Sequence, residues 1–157
     1  MHNRRAQSLV EVTAGIAILL PVLLVLFDLS MLFLAVQANE SICRNAARAA
    51  AAGDPLDATV RAQAVVNAAN LSSGGALISH FWLVLPIAVV VTDRPTSQED
   101  PLTGRESNPG GPVTGTVAVS TEVDVRPFVV YRLWGGKLPM KFRARHIFPI
   151  SFTQPTL

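Results

Sequence analysis

"RRAQSLVEVTAGIAILLPVLLVLFDLSMLFLAV", residues 4–36, decides the fold. No charge interrupts residues 12–27, and after Asp28 the apolar run resumes as far as Val36. At 1.5 Å per residue these about 25 residues make roughly 37 Å of helix, enough to cross a hydrocarbon core of about 30 Å. The stretch therefore predicts one transmembrane helix. Arg4 and Arg5 precede it, and the positive-inside tendency places that end in the cytoplasm and the rest of the chain outside. A removable secretory signal is the competing reading, with Val36, Gln37 and Ala38 offering small residues for a cut. The run is longer than the about 7–15 residues of such a signal, and it contains Asp28.

Three residues stand out within the stretch. A carboxylate in hydrocarbon is costly unless paired, neutralised or near the interface, so Glu11, one residue before the unbroken run, is either an interfacial glutamate or a partnered one. Asp28 lies on a different helical face from Glu11 at 100° per residue. It either marks the outer boundary of the span or is an intramembrane contact with another subunit. Pro21 removes a backbone donor in mid-helix and is a candidate hinge.

Beyond the apolar run, "QANESICRNAARAAAAG" is rich in helix formers, and Gly53 is the expected stop. Glu40 and Arg44 form a favourable pair four residues apart, with Arg48 one turn on. A single helix running from about Ser8 to Ala52 would form a stalk of roughly 68 Å, half in lipid and half outside.

The remainder reads as a small external domain. Asp54 is an N-cap, Pro55 fits the first turn, and a Ser/Gly cluster at 72–75 ends a second helix. Leu56, Val60, Ala64, Ala68 and Leu71 form its expected buried face. Three strand-like stretches follow. Residues 81–91 are continuous and apolar, with Pro86 suggesting an edge or bulge; 113–126 alternate, with Val117, Val119, Val123 and Val125 on one face. Residues 140–152 also alternate, with Met140, Phe142, Ala144, His146, Phe148, Ile150 and Phe152 inward. The prediction is an α+β protein: a long N-terminal transmembrane and stalk helix, a short helix and a small, mainly antiparallel sheet. Residues 93–112 read as a long polar, mobile loop. In "PFVVYRLWGGKLP", Phe128, Tyr131 and Trp134 are candidate contacts for a partner or the membrane surface, the alternative being an ordinary apolar turn.

The 13 basic residues against 11 acidic ones give a net charge of +2, too little to argue for nucleic acid. Locally, Arg126, Arg132, Lys137, Lys141, Arg143 and Arg145 have no acid among or after them. Such a stretch is a solvated strand face or faces anionic lipid, polysaccharide or polyphosphate. One cysteine, Cys43, excludes an intramolecular disulfide and reads as a small buried residue. The histidines His2, His80 and His146 have no metal-ligand spacing, and no nucleophile elbow or phosphate-binding glycine loop is present. No cofactor, metal site or enzymatic activity is expected.

The segment of roughly residues 4–52 resembles the TadE-like pseudopilins, minor pilin-like proteins of the tight-adherence pilus machinery. The resemblance rests on "QSLVE", on Pro21 within the apolar run, on Asp28 after it and on "NAAR" at 45–48. The chain departs from the family at Ala6, where glycine is usual, at Val12, where an aromatic is usual, and at Met31, where an arginine is usual. The resemblance implies a pilin-like fold and a cytoplasmic leader, residues 1–6, cut between Ala6 and Gln7 by a prepilin peptidase. Residues 7–52 would then form the membrane and stalk helix, and 53–157 the extracytoplasmic domain. It further implies that Glu11, fifth in the mature chain, pairs with the α-amine of a neighbouring subunit and sets the axial register of assembly. The implied protein is a single-pass inner-membrane pseudopilin acting in pilus assembly, adhesion or secretion, with lipid and other pilin subunits as partners. The alternative is an uncleaved, membrane-tethered extracytoplasmic binding module.

Overall fold

The computed structural model describes residues 2–72, 78–99, 106–127, 129 and 139–156. Helix α1, His2–Ala51, is unbroken over 50 residues and continues through Pro21, a length of about 75 Å. Its start includes part of the expected leader. A 3-10 turn, Pro55–Asp57, and helix α2, Ala58–Ser72, follow. The strands are β1 (Ile78–Leu83), β2 (Ala88–Asp93), β3 (Gln98–Glu99), β4 (Glu106–Ser107), β5 (Gly111–Val125), β6 (Met140–Pro149) and β7 (Phe152–Gln154).

The fold is α+β as expected, with an antiparallel sheet built around β5. Both β1 and β2 pair with β5, β1 through its residues 121–125 and β2 through 114–118. The single apolar stretch that the sequence suggests is therefore two strands, divided around Pro86. Val84 still donates to the Ser120 carbonyl at 2.9 Å, so the ribbon stays attached across the break. Along β5, β6 pairs with residues 116–125 and β7 with 111–113. Among the described residues of the expected polar loop, β3 and β4 pair antiparallel.

One sheet face packs on the helices. Val113, Val117, Val119, Thr121, Val123 and Val125 of β5 are buried, confirming the alternation read from sequence. On α1 the matching stripe is Asp28, Ala35, Asn39, Cys43, Ala46, Ala47 and Ala50, all buried, with Leu32 and Ile42 partly so. Spacings of three, four and seven residues keep these positions on one side of a helix. Alanine there lets the helix lie close to the sheet.

The inward face of α2 differs from expectation. Ala58, Ala62 and Val66 are buried, whereas Leu56, Val60 and Leu71 are 77%, 68% and 88% exposed. The larger apolar side chains point away because α2 packs in the narrow space beside the alanine end of α1, and small residues allow that approach. Val66→Ala should cost about 2 kcal/mol by removing buried methyl groups. Val60→Ala should stay within about 0.5 kcal/mol, as exposed substitutions do. Urea denaturation of both variants measures the difference; equal losses would place the core on the wrong face.

A side chain from α2 closes α1. Arg61 donates from Nε to the Ala49 carbonyl at 3.0 Å, and from Nη2 to the carbonyls of Ala50 at 3.0 Å and Asp54 at 2.6 Å. The Ala49 and Ala50 carbonyls lie in the last turn of α1, where the regular i+4 donors run out, and a cation suits that end of the helix dipole. Gly53 makes room: a Cβ there would lie 2.9 Å from the Arg61 guanidinium carbon. Asp54 caps the following turn, accepting from the Leu56 N–H at 3.0 Å as its N-cap reading requires.

Candidate functional site

The region with functional consequence is the junction where α1 passes from exposure to burial. In residues 10–27 every side chain is exposed except Val25, which is half-buried. Among the described residues one helix is long and apolar enough to cross a membrane, and it lies near the N-terminus. At Asp28 the environment changes. Asp28 is 2% exposed and accepts a hydrogen bond from the Val129 N–H at 2.5 Å. Within this chain, Asp28 is thus tied to the segment that follows β5. A buried carboxylate requires such a donor, and this one comes from a residue 101 positions away. Exposure around the helix holds over 10–27, about 27 Å; beyond it Leu29, Phe33 and Leu34 stay exposed on the side away from the sheet.

Above the junction a polar cluster fixes α1 on the sheet. Asn39 Nδ2 donates to the Phe142 carbonyl at 3.0 Å, and Thr121 Oγ1 donates to Asn39 Oδ1 at 2.8 Å. One turn on, Cys43 Sγ donates to the Val119 carbonyl at 3.4 Å. Burial pushes the Cys43 thiol above its ordinary range, against hydrogen bonding that lowers it. The expected small buried cysteine is what the structure has. Glu40 does not turn to Arg44: its Oε1 lies 2.7 Å from His146 Nε2, on the core-facing side of β6. Arg44 is exposed, and the Arg48 guanidinium stands 5.8 Å from the Phe148 ring centre. Sheet contacts thus take over from the pairing along the helix.

Other sequence-selected residues stay apart from this junction. Gln7 and Glu11 are exposed near the start of α1, about 32 and 26 Å from Asp28 along the axis at the standard rise, and Ala6 lies in the same helix. Phe128, Tyr131 and Trp134 lie outside the described residues. Among the described residues no three His, Cys, Asp or Glu side chains converge as metal ligands. Asn39, Thr121 and Val129 were not singled out by sequence; an asparagine on the apolar stripe of a stalk helix was the available signal. Comparison with protein-family models, with curated proteins and with solved structures finds no match.

Proposed function

We propose that this chain is a pseudopilin or minor pilin-like protein that takes part in assembling a tight-adherence, type IV-like pilus or a related secretion filament. The observation that carries the reading is the division of α1. Residues 10–27 are apolar and exposed around the helix, while 28–51 is clamped to the sheet through a stripe of small residues. In a bilayer the exposed half is an inner-membrane anchor, with Arg4 and Arg5 on the cytoplasmic side. On transfer to a filament the same surface packs against equivalent segments of neighbouring subunits. An apolar rod suits both settings.

In this reading the leader ends at Ala6, a prepilin peptidase frees the amine of Gln7, and Glu11 receives the corresponding amine of another subunit. A buried ammonium–carboxylate pair tolerates few alternative dockings, so it sets register. The domain has no catalytic role. Mass spectrometry of the membrane-extracted protein should give a chain beginning at Gln7. An intact N-terminus would instead identify an uncleaved tethered binding module, and a start at Asn39 a secreted domain. Glu11→Ala should leave cleavage and insertion intact while reducing co-assembly at least tenfold by pull-down; undiminished assembly would refute the pairing.

A further inference from the structure

The outer face of the sheet, away from the helices, carries a charge pattern that the fold does not consume. Pairing across it sets outward residues in rows. Asp124 stands opposite Lys141, Glu122 opposite Arg143, Ser120 opposite Arg145, and Ala118 opposite Ile147. Lys141 Nζ lies 2.8 Å from Glu122 Oε1 and 3.9 Å from Asp124 Oδ1. One lysine thus engages both acids of this face of β5, and hydrogen bonding to Glu122 holds its ammonium above the ordinary lysine range. Arg143 and Arg145 are exposed, and neither side chain has an ion pair or hydrogen bond among the described residues. They stand two residues apart on one side of β6, about 7 Å at the strand rise.

The two arginines border an open cavity of about 460 Å³, lined also by Pro86, Ala88, Ala118 and Ser120. Its volume suits a ligand of one or two sugar rings better than a simple ion. Trp82 occupies the Glu122–Arg143 row on the far side of β5 and is 52% exposed. Two strand spacings put its backbone about 10 Å from that of Arg143. The indole is braced, with its ring centre 4.3 Å from that of His80, which is itself 3.3 Å from Asn70 Nδ2. Asn70 also exchanges two hydrogen bonds with the Phe81 backbone, at 2.8 and 2.9 Å.

We propose that this groove binds an acidic oligosaccharide, with uronate carboxylates on Arg143 and Arg145, a hydroxyl on Ser120 and the apolar face of a ring against Trp82. Guanidinium forks match carboxylates in two-point geometry, and an exposed indole beside them favours a flat apolar surface over a bare anion. The site does not depend on leader cleavage or on filament assembly.

Titration calorimetry of the full chain in a non-ionic detergent, with tetragalacturonate as probe, is the direct test, with Trp82→Phe isolating the indole's signal in parallel fluorescence titrations. Saturable binding is expected that weakens as salt rises, quenches Trp82 and falls at least tenfold in Arg143→Gln/Arg145→Gln. Circular dichroism should show that double variant folded, since both side chains are exposed, and Ser120→Ala is a milder second probe expected to weaken binding several-fold. Maltotetraose, neutral and of equal length, should bind at least tenfold more weakly. Absence of tetragalacturonate binding, equal binding of a glutamate-rich peptide, or full affinity in the double variant would each overturn the proposal.

Discussion

Asn39→Leu should destabilise the external domain by about 2–4 kcal/mol, measured as a lower urea midpoint by tryptophan fluorescence in detergent. Asn39 is 1% exposed and joins α1 to two strands at once, meeting Thr121 of β5 and the Phe142 carbonyl of β6. Leucine would fill similar space while leaving the fully buried Thr121 hydroxyl only its long contact to the Asn39 backbone carbonyl, at 3.5 Å. An unsatisfied buried group costs about 1–3 kcal/mol, more than a typical hydrogen bond contributes when made. The same asymmetry supplies a control. Adding Thr121→Val removes the stranded hydroxyl, so the double variant should recover stability relative to Asn39→Leu, with a coupling of at least about 1 kcal/mol. Strict additivity would mean that the two side chains do not act as a pair.

Gly115→Val should lower stability by more than about 4 kcal/mol, enough to unfold a domain whose total stability is of order 5–15 kcal/mol. A Cβ at Gly115 would overlap the Val90 carbonyl oxygen and come within 2.9 Å of both Val91 Cα and Ile150 Cδ1. These are largely backbone obstacles at the point where β2 pairs with β5 and where Ile150 donates to the Gly115 carbonyl at 3.0 Å. Neither neighbour can move without opening a ribbon. Gly115→Ala should act in the same direction because the overlap begins at Cβ, whereas Thr116→Val, one exposed residue away, should stay within about 0.5 kcal/mol. Loss of the cooperative fluorescence transition is the readout for valine; a native midpoint would show that the strands separate more easily than their pairing implies.

Periodicity made the strand faces legible. Alternation in β5 and β6 names the buried residues correctly because each strand sits on a helix with one face only. It misled for α2, where two stripes were available. Leu56, Val60 and Leu71 form the more hydrophobic one, yet Ala58, Ala62 and Val66 were buried. Hydrophobicity ranks faces by transfer free energy; closeness of approach selected the smaller side chains. Glu40 shows a similar limit, since local spacing offered Arg44 and the sheet brought His146 within 2.7 Å.

The sequence by itself determined that a long apolar helix opens the chain, that it runs on as a stalk to Gly53, and that an antiparallel sheet with alternating faces follows. Local backbone preference and the period of hydrophobic residues are enough for that. Tertiary structure alone decided where the helix ceases to be exposed on every side. In the sequence Asp28 reads equally as a boundary mark or a contact in lipid; that the N–H of Val129, 101 residues away, reaches it is visible only in the fold. The same holds for the Arg143 and Arg145 groove, because whether a basic residue is free or neutralised depends on which acids the register sets beside it.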